Sequence, residues 1–163
     1  MIIAFTGGMG TGKTTAANIV IATYENAYKK SFAAPVKEIA TTCFGWDGEK
    51  DEKGRKLLQV IVTEAGRAYD PDIWANKMHE EINARYILDL DLIVIDDLRF
   101  DNEADLIHRL GGKVILIKRN TGIKSDHASE QGIKNYDIAI ENNGDAAELK
   151  ERLLEILKPL INE

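Results

Sequence analysis

The 163-residue sequence predicts an α/β fold: a five-stranded parallel sheet with helices on both faces, in three layers. Three observations predict it. Short apolar runs alternate with longer helical segments. Each connection is long enough to cross over to a parallel neighbour. The polar clusters at 6–14, 96–99 and from 119 onward fall at strand ends, and binding sites in such sheets lie beyond the carboxyl ends of the strands.

The elements follow in order. Ile2 to Phe5 is a short buried run ending in Thr6-Gly7-Gly8. Lys13 to Tyr24 is helical, with Ala16, Ala17, Ile19, Val20 and Ala22 as its apolar face. Tyr28 to Phe32 is a weak second strand. Ala33 to Phe44 is a helix with Pro35 in its first turn, where a missing N–H costs nothing. Gly45 to Gly54 is a polar loop, and Arg55 to Ala68 an amphipathic helix. Asp70-Pro71-Asp72 breaks it, and Asp70 caps a helix running to about Tyr86. Leu90 to Ile95 is the clearest strand, apolar on both faces. Asp101 to Leu110 is a helix stopped by Gly111-Gly112. Val114 to Ile117 and Ile138 to Ile140 are the last strands. Asp145 with Glu148 three residues on resembles a capping box opening a final helix, Ala146 to Leu160.

Composition excludes several classes. The length fits one domain. Lys plus Arg total 21 against 27 Asp plus Glu, so the net charge is −6 and binding to a nucleic-acid polymer is disfavoured. One cysteine, Cys43, excludes an intrachain disulfide; with no catalytic partner nearby it reads as packed. No apolar run reaches the roughly 18–20 residues that span a bilayer. The expectation is a cytoplasmic, membrane-free chain.

Gly7-Gly8-Met9-Gly10-Thr11-Gly12-Lys13-Thr14 matches G-x-x-x-x-G-K-[ST] in full, between a strand and a helix. The glycines let successive N–H groups turn toward phosphate oxygens, and the helix N-terminus adds partial positive charge. Gly8, Gly10, Thr11, Gly12, Lys13, Thr14 and Thr15 are therefore the expected ATP-binding residues. Lys13 would bridge the β- and γ-phosphates, and the Thr14 hydroxyl would ligate Mg²⁺. The motif specifies a nucleoside triphosphate but not its use.

Asp96-Asp97 ends the most apolar strand, where a metal-holding acid belongs. Strand alternation puts the two on opposite faces, so they are not expected to share one ion. Either is also consistent with a solvated strand-end acid. Arg99 could cover a transferring phosphoryl group or simply pair with Asp101 or Glu103. Arg55, Gln59, Thr63 and Arg67 recur at i+4 steps along one helix face. A plain surface helix explains this, as does an anion clamp joined by Lys37, since arginine forks onto phosphate. Phe32, Phe44, Trp46 and Trp74 are candidate walls for a base, or core. His127 has no second His or Cys beside it, which argues against zinc.

Taken together, these pieces resemble the deoxynucleoside monophosphate kinases of tailed bacteriophages, within the P-loop nucleoside monophosphate kinases. The resemblance rests on 7–14, Ser31-Phe32-Ala33-Ala34-Pro35-Val36-Lys37, Gly54-Arg55-Lys56-Leu57-Leu58-Gln59, Glu64-Ala65-Gly66-Arg67 and Asp72-Ile73-Trp74. It continues through Asp97-Leu98-Arg99-Phe100-Asp101-Asn102-Glu103 and Asp126-His127-Ala128-Ser129-Glu130. It implies a P-loop nucleotide-kinase fold and transfer of the ATP γ-phosphoryl, with Mg²⁺, to a deoxynucleoside 5′-monophosphate for DNA precursor synthesis. It makes Phe32, Lys37, Arg55, Gln59, Arg67 and Trp74 the monophosphate-binding set, within an acceptor-binding region of about 33–86.

By the same resemblance Asp97 holds the metal with Thr14, and Lys13, Arg67, Asp97 and Arg99 are the catalytic set. Arg119 lies on the ATP side, and His127, Ser129 and Glu130 belong to a lid at about 120–132. The implied location is the host cytoplasm for a viral chain, and the resemblance allows a homodimer. One departure is that 120–132 holds only Lys124 where many monophosphate kinases carry several arginines. Arg67, Arg99, Arg119 and Lys124 therefore all remain candidates for the transition-state cation. A kinase of another small acceptor, such as dephospho-coenzyme A, and a non-catalytic nucleotide-binding protein remain alternatives at this point.

Overall fold

The structure is a computed structural model that describes residues 1–83, 92–120 and 133–161, with backbone only at 61 and 62. The chain divides into two compact units, Met1–Lys30 with Leu88–Glu163 and Ser31–Ile87.

The first unit carries the sheet. Its strands are β1 Ile2–Thr6, β2 Ala27–Lys30, β3 Leu92–Leu98, β4 Lys113–Lys118 and β5 Ile138–Glu141. All four pairings are parallel, in the order β2-β3-β1-β4-β5. Helix α1 (Lys13–Thr23) and the last helix, α7 (Ala146–Ile161), lie against one face. Their Ala16, Ala17, Val20, Leu149, Leu153 and Leu157 pack with Ile3, Phe5, Val94, Ile115 and Ile117 of the sheet. Helix α6 (Asp101–Arg109) covers the opposite face, where Ile107 approaches Ile2 beneath Gly112. Near-complete burial of each such Leu or Ile contributes roughly 1.5–3 kcal/mol. The three layers and the five parallel strands are those the sequence predicts.

Local boundaries differ in informative ways. β2 ends at Lys30 rather than Phe32, because the Ser31 carbonyl accepts the Ala34 N–H and turns the chain into a helix. β3 runs past Ile95 to Leu98, so Asp96 and Asp97 lie within the strand. The Asp145 carboxylate caps α7 as expected, accepting the N–H groups of Ala147 and Glu148 at 2.9 and 3.0 Å.

At the amino-terminal edge of the sheet, Asp137 ties three elements together. Its carboxylate accepts the Val114 N–H at 2.8 Å and meets His108 Nε2 at 2.8 Å and Lys113 Nζ at 3.3 Å. Partial burial pushes this carboxyl up, but the Val114 N–H, His108 and Lys113 outweigh that and hold it below its ordinary value of 3.8. A carboxyl with a depressed folded-state pKa stabilises the fold above its unfolded pKa. That contribution disappears as pH falls through the lower folded value. Thermal midpoints measured from pH 6 to pH 3 should therefore fall less steeply below about pH 4 for Asp137→Asn than for the parent. Parallel curves would contradict the assignment.

The second unit is helical: α2 Ala33–Phe44, α3 Glu52–Lys56, a π-helical segment Leu57–Glu64, α4 Ala65–Tyr69 and α5 Ile73–Asn83. The loop predicted at 45–54 is shorter than expected, since the Asp51 carboxylate accepts the Gly54 N–H at 2.6 Å and starts α3. Asp70 accepts the Asp72 N–H at 2.9 Å in the turn before α5. In its core Trp74 packs with Val36, and Leu58 and Ile73 lie against them. A Cβ on Gly66 would sit 2.7 Å from the Trp74 ring. Gly66→Ala is accordingly expected to cost about 1–3 kcal/mol through overpacking, read as a lowered urea midpoint. A midpoint equal to the parent's would show that the ring moves aside freely.

Candidate active site

β1 and β3 are neighbours, and Thr6 pairs with Leu98. The loop leaving β1 and the segment leaving β3 therefore emerge side by side, with the exit of β4 on the other side of β1. This is the edge where α/β sheets bind ligands, at the point where crossovers switch faces.

In the loop, Gly7, Gly10 and Gly12 have φ of 139°, 75° and 103°, a region where side chains are strained. A Cβ on Gly7 would also collide with the Ile117 carbonyl. Thr11 is buried, and its hydroxyl donates to the Gly8 carbonyl at 3.0 Å. The Lys13 ammonium donates to the Gly7 and Gly8 carbonyls at 2.7 Å each, which folds the side chain over its own loop. Thr14 and Thr15 are exposed on the first turn of α1.

The two aspartates have different surroundings. Asp96 is nearly buried and forms an ion pair with Lys29 of β2 at 2.7 Å. Asp97 is half-buried. Simple alternation does not describe them. Ala4 pairs with Ile95 and Thr6 with Leu98, so two residues of β3 stand opposite the single Phe5. This bulge interrupts the alternation expected from sequence; bulges beside active sites re-aim side chains.

Beyond it, the buried Glu103 carboxylate accepts the N–H groups of Arg99 and Phe100 at 2.8 and 3.2 Å. Sequence offered Glu103 as a partner for the Arg99 guanidinium; the structure shows its carboxylate holding the Arg99 backbone N–H. Arg119 is exposed just past β4. Among the described residues no group of three or more His, Cys, Asp or Glu side chains is placed to hold a metal ion.

In the helical unit the predicted single helix is divided into successive segments. Arg55 lies on α3, Gln59 on the π segment and Arg67 on α4. The backbone of Leu57–Glu64 is π-helical, and its wider turn changes the angle that four residues span; the Thr63 hydroxyl donates to the Leu58 carbonyl at 2.7 Å. Arg55 is exposed, and its Nε donates to the Lys50 carbonyl at 2.7 Å. Arg67 is half-buried, with Nη1 3.4 Å from the Pro71 carbonyl, and Gln59 and Lys37 are half-buried.

The aromatic candidates separate as well. Phe32 and Trp74 are buried, Phe44 is exposed, and Trp46 donates to the Glu49 carbonyl at 2.8 Å. Cys43, expected to be packed, is exposed. His127, Ser129 and Glu130 lie outside the described residues.

Sequence reasoning missed Asn142. It follows β5 and is 5% exposed, and its side-chain amide donates to the Thr11 carbonyl at 2.8 Å. Asn142-Asn143-Gly144 reads as an ordinary turn, and no local signal marks its partner 131 residues away.

Comparison with known proteins supplies the rest. The sequence profile of the deoxynucleotide monophosphate kinase family matches residues 46–153. A protein of Acanthamoeba polyphaga mimivirus named as a deoxynucleotide monophosphate kinase is 36% identical over 88% of this chain and 89% of its own length. The deoxynucleoside-5′-monophosphate kinase of Escherichia phage T5 is 35% identical over 48% of this chain and 34% of that protein. Among solved structures, the dephospho-CoA kinase from Campylobacter jejuni superposes with a TM-score of 0.61 at 16% identity, covering 99% of this chain and 97% of that one. Shikimate kinase from Aquifex aeolicus gives 0.60 at 11% identity, covering 97% and 96%. At these identities the likeness concerns the fold, which is that of the P-loop kinases. The loop at 7–14, the parallel sheet behind it and the relatives agree: the chain belongs to the deoxynucleotide monophosphate kinase family.

Proposed function

We propose that this chain transfers the γ-phosphoryl of ATP to a deoxynucleoside 5′-monophosphate, giving the diphosphate and ADP for DNA precursor synthesis. The observation that carries the proposal is the phosphate loop, with Lys13 folded over it, beside the exit of β3 that bears Asp97 and Arg99, in a chain of this family.

The acceptor oxygen of a monophosphate is already anionic, so no general base is needed. Catalysis is positioning and charge neutralisation. Gly8, Gly10, Thr11 and Gly12 cradle the phosphates with backbone N–H groups, and Thr15 and Arg119 support the nucleotide side. Lys13 leaves its loop carbonyls to draw charge from the β- and γ-phosphates. Arg99, whose backbone N–H is held by Glu103, is assigned to the transferring group.

Thr14 and Asp97 offer hard oxygen donors at neighbouring strand exits, which suits Mg²⁺; that ion prefers one or two protein oxygens together with substrate phosphates. Bound there, it would neutralise phosphate charge. Asp96, engaged by Lys29, is assigned to the fold. Lys37, Arg55, Gln59 and Arg67 of the helical unit are assigned to the monophosphate, with Arg67 also neutralising charge on the transferring group. Phe32 and Trp74 act through the packing of that unit. His127, Ser129 and Glu130 are assigned to a lid that excludes water. The location proposed is the host cytoplasm of a bacteriophage or other virus, with single nucleotides rather than nucleic-acid polymers as partners. A homodimer is the assembly the resemblance offers.

An ADP-release assay across the four deoxynucleoside monophosphates, with dephospho-coenzyme A and shikimate as control acceptors, tests the reading. Stimulation by at least one deoxynucleotide and by neither control is expected. Stimulation by a control alone would transfer the activity to another acceptor class. Tight ATP binding with no stimulation would make the chain a nucleotide-binding protein only.

A further inference from the structure

We propose that Asn142 is a positioning residue for ATP, one that aims the Gly12 N–H of the phosphate loop. The inference deepens the kinase reading but needs only its nucleotide-binding half.

Asn142 is anchored at the sheet edge, where its own N–H donates to the Lys118 carbonyl at 2.7 Å. From there its side chain crosses to the loop, and Nδ2 donates to the buried Thr11 carbonyl at 2.8 Å. The acceptor is a carbonyl, so the amide nitrogen must be the group that faces it. The amide also fills the space beside Gly12, where a Cβ would meet Nδ2 at 2.5 Å.

A peptide group is planar and trans, so its C=O and N–H point in opposite directions. Pinning the Thr11 carbonyl toward Asn142 therefore turns the Gly12 N–H away from Asn142, and the phosphate is assigned to that side. Nothing in the covalent structure of this peptide fixes that orientation. Gly12 has φ of 103° and, lacking a Cβ, accepts either sign of φ, so the plane can flip. A flipped plane would present a carbonyl to the phosphate in place of a donor. The hydrogen bond from Asn142 holds the donor state.

The test uses the full chain and two probes, ATP and inorganic tripolyphosphate, with dissociation constants measured by calorimetry. Asn142→Asp keeps the shape and removes the donor; Asn142→Ala removes both. Loss of one buried hydrogen bond should weaken both probes about 3–10-fold in Asn142→Ala. Asn142→Asp should weaken them about 10-fold or more, because a carboxylate then faces a carbonyl and stands near the phosphate charge. The KM for the monophosphate should stay within about twofold.

Folded variants that bind both probes as the parent does would overturn the proposal. A fall in thermal midpoint with unchanged binding would also overturn it, leaving Asn142 a purely structural role. If Asn142→Ala does not fold, Asn142→Leu, which keeps the bulk and carries neither donor nor charge, decides in its place. A parent that binds both probes but phosphorylates no acceptor would remove the kinase reading and leave this inference standing. A parent that binds neither would remove both.

Discussion

Lys13→Ala is expected to lower phosphoryl transfer about 10³-fold, the scale on which a preorganised donor to transition-state charge acts. In the structure the Lys13 ammonium reaches two loop carbonyls, Gly7 and Gly8, each at 2.7 Å. A compact three-donor head can move from those oxygens to phosphate oxygens with a small rotation of a flexible stem. A planar guanidinium cannot repeat that geometry, so Lys13→Arg should restore less than about a tenth of the rate. Initial rates of ADP formation at saturating acceptor, over a wide range of ATP, are the measurement. The thermal midpoint should stay within a few degrees, because the lysine is a half-exposed group at a loop. A Lys13→Ala variant retaining a tenth of the activity would remove Lys13 from the chemistry.

The second large effect separates the adjacent aspartates. Asp97→Asn should lower kcat about 10²–10³-fold and raise the Mg²⁺ concentration needed for half-maximal rate, with little change in stability. Asp96→Asn should do the reverse. It breaks the pair with Lys29, whose side chain is 39% exposed, so solvent screens much of the interaction. A loss of about 1 kcal/mol, or roughly 2–4 °C in thermal midpoint, is expected, with kcat within about threefold. If Asp96→Asn is instead the inactive variant, the assignments exchange. The bulge opposite Phe5 is why this pair needs the experiment, since alternation alone does not say which carboxylate turns toward the phosphate loop.

Much of this was legible in the sequence, for identifiable reasons. The phosphate loop was readable in full, because its glycines answer a local backbone demand and its lysine and threonine answer local chemistry. The buried parallel strands were readable because they are apolar on both faces, as Leu92 to Ile95 shows. The bulge was not, because an inserted residue leaves composition unchanged and shows only in the register against β1. The π segment was hidden for a similar reason: Leu57 to Val62 suits any helix, and only the backbone pairing of Leu57–Glu64 reveals the wider turn.

Glu103 escaped because the usual capping signature needs an oxygen-bearing side chain at its first position, and here that position is Phe100. Trp74 shows the limit from the other side. A large aromatic carries the same signal whether it walls a ligand or fills a core, and its packing against Val36 and beneath Gly66 places it in the core. Asn142 acts across 131 residues of chain, a relation that no local pattern encodes.

Transfer of a phosphoryl group to a deoxynucleotide is decided by following the γ-phosphate itself. With ATP labelled at the γ-position and each deoxynucleoside monophosphate in turn, label is expected in the corresponding diphosphate for at least one base. Little label is expected in inorganic phosphate, and Lys13→Ala should transfer it about 10³-fold more slowly. Label accumulating only as inorganic phosphate, whichever monophosphate is supplied, would contradict it.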